Sequence, residues 1–318
     1  MVFALVLEQL RPMDGRRVDG ALHRLGAWST VVRPPGCARS PVCAWLFGVA
    51  LALAAAMGAW WLLRAIHPVL GFAFNVAVLY AVIAYRRESR FFADIVIALS
   101  TGNLERARSL IGDWRGRDHG RAGAAEVARL GIEQALVTGH RSFFGPLLWF
   151  VLLPGPAGAV LYRVALHLAR EDDARQVEGG GVEDEAAART METGAASARR
   201  SFARDAFALI DWVPVRMTAL AFSVIGNFED AIYCWRSQSM LWPDRASGIL
   251  IAAGAGALGV RLGLPMHEGD AVVDRPEMGV GARADVAHME SAANLLWRVL
   301  VLVLLVLTLL GIAGWVGR

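Results

Sequence analysis

Val299-Leu-Val-Leu-Val-Leu-Leu-Val-Leu-Thr-Leu-Leu-Gly-Ile-Ala-Gly-Trp-Val316 carries no charge over its whole length. At a helical rise of about 1.5 Å per residue such a run is close to the roughly 30 Å of a bilayer's hydrocarbon core. Arg298 precedes it and Arg318 follows it, as the interfaces of a spanning helix require.

Reading back from this run, further apolar blocks of similar length emerge. Pro41 to Leu63 is uncharged and ends at Trp60-Trp61, where an aromatic belt sits. His67 to Tyr85 closes with Tyr80 and Tyr85 before Arg86-Arg87. Phe143 to Leu168 is long enough to span but is interrupted by Pro154-Gly155-Pro156, so a kinked helix and a re-entrant hairpin both stay open. Ala206 to Gly226 is apolar apart from Asp211 and Arg216, and Ile249 to Gly263 is short, rich in Gly and Ala, and carries Arg261. The blocks predict an all-α, polytopic integral membrane protein with about five to six membrane-embedded helices.

Composition agrees. Of 318 residues 56% are apolar and 19% charged, against roughly 25% charged in an average soluble domain, and mean hydropathy is +0.43. The net charge is +3 and every basic residue is Arg. These arginines flank the apolar blocks and do not gather on one polar face, which argues against nucleic acid as a partner and for the lipid bilayer. The three cysteines, Cys37, Cys43 and Cys234, form no CxxC pair, so neither a disulfide framework nor a zinc site is expected. Met1 to Leu7 is too short for a secretory apolar region and has no basic residue before it, so no cleaved signal peptide is expected.

The chain divides accordingly. Residues 1–40 form an apolar N-terminal segment and a basic stretch, 41–85 two transmembrane helices, and 86–142 a helical cytoplasmic loop. Residues 143–168 form the kinked or re-entrant segment, 169–205 an acidic linker, 206–264 further membrane segments, 265–294 an acidic loop, and 295–318 the last span. Residues 11–40 hold six Arg against two acids and 86–142 ten against seven, whereas 169–205 hold six against nine and 265–292 two against six. The positive-inside rule then puts the first two loops in the cytoplasm, the last two outside, and both termini inside. Within 86–142, Phe91 to Leu99 and Leu104 to Ile111 have helical spacing, separated by Thr101-Gly102-Asn103, a stop followed by a start, and Ala124 to Val137 reads as another amphipathic helix.

The most informative stretch chemically is Asp211-Trp212-Val-Pro214-Val-Arg216. Charges inside a bilayer-length run are costly and mark a functional site or an internal pair. Asp211 and Arg216 are five residues apart and share no face of a straight helix, but Pro214 can bend it. An interfacial cap with a snorkelling arginine, a buried pair and a ligand site all stay open. The small residues before Arg261 allow close helix packing or the approach of an anion. Glu133 and His140 lie two turns apart on one helix and read as a hydrogen-bonding pair. Asp113 and Asp118 flank Trp114-Arg-Gly-Arg117, as a solvated loop or as weak candidates for holding Mg²⁺ beside a phosphate substrate.

Six stretches in order carry a likeness. Leu5-Val-Leu-Glu8-Gln-Leu, Gly102-Asn-Leu-Glu-Arg-Ala-Arg108, Phe144-Gly-Pro-Leu-Leu-Trp-Phe150, Pro156-Ala-Gly-Ala-Val-Leu-Tyr162, Asp211-Trp-Val-Pro-Val-Arg-Met-Thr-Ala-Leu220 and Ala255-Gly-Ala-Leu-Gly-Val-Arg-Leu-Gly263 resemble the successive elements of the CobD/CbiB family of cobalamin-biosynthesis membrane proteins. The resemblance implies a multi-pass protein of the bacterial inner membrane that forms an amide between adenosylcobyric acid, a corrinoid, and an aminopropanol-type amine, with ATP and Mg²⁺. The family's acidic run reads Glu133-Gln-Ala-Leu-Val-Thr-Gly-His140 here and keeps only its first acid. Asp211-Trp-Val-Pro-Val-Arg216 and Ile225-Gly-Asn-Phe-Glu-Asp-Ala-Ile-Tyr-Cys-Trp235 also resemble the AmpE-type membrane regulators. That likeness implies a non-enzymatic protein of the β-lactamase-induction type, with a membrane or cytoplasmic protein partner.

Overall fold

A computed structural model describes residues 40–82, 85–178 and 191–316. The N-terminal segment and its first family-like stretch, and the centre of the acidic linker, lie outside the described residues. The chain divides into two units, residues 1–84 with 145–213, and residues 85–144 with 214–318.

The first unit opens with α1 (Pro41–Ile66), whose N-terminus is capped by the Ser40 hydroxyl, with Pro41 in its first turn. It stops at His67, held in extended geometry ahead of Pro68, and α2 (Pro68–Val82) follows. Gly71 lets α2 return close against Arg64 of α1. The interrupted block resolves into two helices, α6 (Gly145–Leu152) and α7 (Ala157–Glu178). A side chain at Gly158 would collide with the Trp149 carbonyl and one at Gly145 with the Tyr162 ring, so the two lie antiparallel as a tight hairpin. Tyr162, Ala165, Leu166, Ala169 and Phe207 form its core with Trp45, Trp149 and Ile210 against them. Cys43 is disulfide-bonded, and Cys234 is a free buried thiol.

One long helix, α8 (Met191–Ile225), passes from the first unit into the second. Both α7 and α8 extend into the stretch read as a linker.

In the second unit, α3 (Tyr85–Ser100) and α4 (Leu104–Arg115) are separated as the sequence predicts. Gly102 turns the chain at φ 75°, and the Asn103 side chain caps α4 by accepting from the Arg106 amide at 3.1 Å. Next comes α5 (Ala124–Gly139), buried along most of its length, which passes into a wider π turn at His140–Phe144. After α9 (Phe228–Gln238) and a short turn, α10 (Arg245–Leu258) runs through the core. Its small residues serve close packing: Gly256 touches the backbone of α9, and Gly254 meets Leu136 of α5. The helix stops at Gly259, in left-handed geometry, and the chain turns into strands β1 (Val260–Gly263), β2 (Met266–Glu268), β3 (Ala271–Val273), β4 (Glu277–Met278) and β5 (Ala282–Arg283). β1 is flanked by antiparallel β4 and parallel β5, and β2 pairs antiparallel with β3. So the block 249–263 is not a single membrane segment, and the stretch read as an acidic loop carries strands. Five glycines at positive φ between 259 and 281 make these turns possible. Finally α11 (Val286–Val316) begins well before the uncharged run. Asp285 accepts from the His288 amide at its start, and Met289 packs on Gly131 of α5.

Three described helices are long and apolar enough to cross a membrane: Trp45–Ile66, Phe202–Ile225 and Val286–Leu310. Their outward residues are large and apolar, with Leu209 77% and Trp61 69% exposed, a surface suited to lipid. Two more apolar helices, Pro68–Val82 and Arg245–Leu258, are shorter. The last of these is buried in protein, so its apolarity marks a core helix.

The expected placement of 265–292 across the membrane from 86–142 is overturned. Arg117, His119, Arg121, Glu126 and Arg129 all bond to residues 265–270. The acids that suggested an outward loop complement these arginines; acids carry little weight in setting topology.

Candidate functional site

Glu133 stands on the buried side of α5 with 2% of its side chain exposed. A carboxylate so placed needs several donors. The Gly263 amide donates at 2.9 Å, and Arg275 supplies both ends of its guanidinium fork, at 2.8 and 3.2 Å. Arg275 also donates to the carbonyls of Gly263 at 3.0 Å and Leu264 at 3.3 Å, and its guanidinium lies 5.1 Å from the centre of the Trp242 ring. The backbone is shaped for this. Gly263 and Leu264 both adopt left-handed φ, 70° and 62°, and a side chain at Gly263 would collide with the Pro276 carbonyl. Leu264 holds a conformation that a leucine adopts only when its surroundings enforce it.

Two further guanidiniums converge here. Arg115, at the end of α4, approaches Glu133 to 3.9 Å. Arg129, one turn before Glu133, donates to the Pro265 carbonyl at 2.7 Å. Burial lowers the pKa of both; Glu133 pulls them back up, and Arg275 pushes them further down. Around them lies a polar seam. His267 donates its amide to Glu126 and places its Nδ1 2.9 Å from the same carboxylate. Arg117 forks onto Glu268 at 2.8 and 2.9 Å.

Glu133 therefore does not bond to His140. The imidazole Nδ1 of buried His140 lies 2.9 Å from the Thr218 hydroxyl of α8, while both Glu133 oxygens are taken by Arg275. Asp113 and Asp118 line one open cavity of about 710 Å³ together with Glu105, Arg108 and Arg117. Among the described residues, no three His, Cys, Asp or Glu side chains meet as a metal cage. Arg261 sits on β1, half exposed, with Glu277 at 3.4 Å.

In the first unit Asp211 is 1% exposed. It accepts a 2.8 Å hydrogen bond from the Tyr162 hydroxyl, and the neighbouring Ile210 carbonyl accepts from the Trp149 indole at 3.1 Å. Trp212 points outward, 54% exposed. Pro214 is built into α8, which continues to Ile225, and Arg216 is half-buried. Sequence reasoning missed Arg115, Arg129, Arg275 and Tyr162 as site residues; the available signal was an arginine before proline, Arg275-Pro276, in an otherwise acidic stretch.

Helices long and apolar enough to cross a membrane, together with a buried guanidinium–carboxylate cluster, define a helical membrane protein with a charged site. The model of the family described as CobD/Cbib protein matches residues 21–168 and 186–296, and the chain belongs to that family. It is similar to the cobalamin biosynthesis protein CobD of Stutzerimonas stutzeri, 32% identical over 256 residues, which cover 80% of this chain and 77% of that protein. The protein of the same name from Chromobacterium violaceum is 35% identical over 225 residues, 71% of this chain and 66% of that protein. Its namesake in Mycobacterium tuberculosis strain H37Rv is 28% identical over 217 residues, 66% of this chain and 62% of that protein. The regulatory resemblance gains no support from these matches. No solved structure matches the chain.

Proposed function

We propose that the chain is an amide-forming ligase of cobalamin biosynthesis. It joins the carboxylate of a corrinoid acid of the adenosylcobyric type to an aminopropanol-type amine, with ATP as co-substrate, at the bacterial inner membrane. Family membership supports the pathway. The observation that carries the reading is the cluster of Glu133, Arg275, Arg115 and Arg129, which combines two family-like stretches: Glu133 opens the acidic run and Gly263 closes the small-residue run.

A carboxylate is a poor electrophile, and ATP supplies the phosphoryl group that turns one of its oxygens into a leaving group. The chain's task is to hold anionic oxygens and to keep water away. Arg275, oriented by Glu133 and covered by Trp242, does so from a fixed position. Asp113 and Asp118, on the cavity wall with Arg108 and Arg117, are of the kind that holds Mg²⁺ through one or two carboxylates, with phosphate oxygens completing its shell. On α8, Asp211, Trp212, Pro214 and Arg216 form a second functional stretch, with Asp211 and Arg216 as partners. Embedding α2, α6 and α7 with the three long apolar helices gives the five to six membrane-inserted elements; the N-terminus and residues 85–144 and 226–285 lie in the cytoplasm, which requires α6, α7 and α8 together to cross an even number of times. Crossing by α11 then leaves the C-terminus on the far side, where loop charge alone had put it inside.

Complementation tests the reaction. A strain lacking its aminopropanol-joining enzyme should regain cobalamin-dependent growth when it expresses this chain, and should lose it again with Glu133→Ala. No rescue by a chain shown to be present in the membrane would sink the ligase reading.

A further inference from the structure

We infer that Arg115, with Arg129 and Arg275 behind it, seats a phosphoryl group. This deepens the ligase reading and rests on it for the group's carrier. Arg115 has 17% of its side chain exposed. Its one charged contact among the described residues is Glu133, at a distance too long for a hydrogen bond, and it makes no hydrogen bond among the described residues. A guanidinium carries five N–H donors, and those of the partly exposed Arg115 are open to an incoming acceptor. Arg129 is 7% exposed, and its Nε is buried with no acceptor among the described residues.

Charge points the same way. Three guanidiniums surround the single carboxylate of Glu133, and Arg275 already occupies both of its oxygens. Glu126 and Glu268, the next nearest acids, are engaged by His267 and Arg117. The cluster thus carries a positive surplus that an incoming anion would offset. A planar carboxylate is fully matched by one guanidinium fork, whereas a tetrahedral phosphoryl group offers three oxygens to donors from different directions. Arg115 and Arg129 come from separate segments and keep N–H donors without an acceptor among the described residues, whereas Arg275 is held by Glu133 and by the Gly263 and Leu264 carbonyls and contributes charge from behind. Gly116 and Arg117, which follow Arg115 in the chain, line the 710 Å³ cavity, so the seat adjoins an open approach.

The carrier is either a phosphate monoester of the amine or the nucleotide. The test uses the full chain in lipid nanodiscs, with inorganic phosphate, ethanolamine phosphate and ATP titrated against chloride at matched ionic strength, and binding read by calorimetry and thermal unfolding. Arg115→Gln should weaken phosphate binding roughly ten-fold or more, the loss of one or two charge-assisted hydrogen bonds. Without phosphate, this variant should melt at or above the wild type, because an unbonded guanidinium beside Arg275 has been removed. Arg115→Lys should bind with intermediate affinity. Whichever ester loses affinity in Arg115→Gln identifies the carrier. Unchanged phosphate binding in Arg115→Gln, a lower melting point without phosphate, or loss for inorganic phosphate with neither ester affected would overturn the inference. Growth rescue is not the readout, so failure of the ligase reading and failure of the seat remain distinct.

Discussion

Arg275 grips both carboxylate oxygens of Glu133 across 142 residues of sequence, and the Gly263 amide completes the arrangement. Breaking a buried pair of this kind by removing one partner costs about 3–5 kcal/mol, because the other charge stays buried. Arg275→Ala should therefore lower stability markedly in detergent or nanodiscs. Glu133→Gln should do at least as much harm, since it leaves three guanidiniums without their shared carboxylate although its amide oxygen can still accept from Gly263. Denaturant or thermal unfolding measures both, and a change below about 0.5 kcal/mol for Arg275→Ala would mean the pair is not structural.

The Tyr162–Asp211 hydrogen bond lies in the core of the first unit. Tyr162→Phe keeps the ring that packs on Phe207 and deletes only the donor. The expected cost is about 1–3 kcal/mol, the range for a buried acceptor deprived of its partner. Unfolding of Tyr162→Phe, compared with Tyr162→Leu, separates the hydroxyl's share from the ring's; equal stability of wild type and Tyr162→Phe would show that Asp211 does not depend on it.

Asp211 and Arg216 are proposed partners on α8. If they interact, Asp211→Ala and Arg216→Ala should each reduce membrane accumulation, and the double variant should recover part of the loss, with a coupling of roughly 0.5–3 kcal/mol. Simple additivity would leave Asp211 to Tyr162 and Arg216 to other surroundings.

Much of this architecture was legible from residue pattern. The stop and start at Thr101-Gly102-Asn103 is local chemistry, and the structure has both the turn and the cap there. The Pro154-Gly155-Pro156 interruption marked a break, although only the contacts of Gly145 and Gly158 decide for a hairpin. The strands after Gly259 were not legible, because they are two to four residues long and pair across turns that periodicity does not register. At the candidate site Glu133 was visible as the acid two turns before His140 on a predicted amphipathic helix. Its partner was not, since nothing local links Arg275 to a residue 142 positions earlier.

Acid sensitivity should have a component at Glu126. Burial pushes its pKa up, but hydrogen bonds from the His267 side chain and amide, with the charges of His267 and Arg129, outweigh this and hold it below the ordinary value of 4.5. A carboxyl lowered in the folded state adds stability above its unfolded pKa and loses it as pH falls through the folded one. Wild type should therefore lose stability below about pH 4.5 faster than Glu126→Gln, the two curves converging in acid. Parallel curves from pH 7 to pH 3 would remove Glu126 from the account.

The polar seam also bears on membrane sidedness, because it puts two segments on the same face. Bonds from Arg117 to Glu268, Arg121 to Asp270 and Arg129 to the Pro265 carbonyl join the Arg-rich loop to β2 and its turn. Residues held together at hydrogen-bond distance cannot lie on opposite faces of a bilayer. The ten arginines of residues 86–142 argue for the cytoplasmic face. Glu105→Cys and Asp270→Cys, both at exposed positions, place a thiol on each side of the seam. The second removes a surface ion pair of small energetic worth. In a background with the native cysteines changed to serine, neither thiol should react with a membrane-impermeant maleimide in intact spheroplasts, and both should react after lysis. A cysteine added after Arg318 should label in intact spheroplasts if α11, which starts beside the seam and is long and apolar enough to span, crosses the bilayer. Opposite labelling at positions 105 and 270 would break the seam as a description of the folded protein, whereas labelling of both in intact spheroplasts would keep the seam and invert the topology.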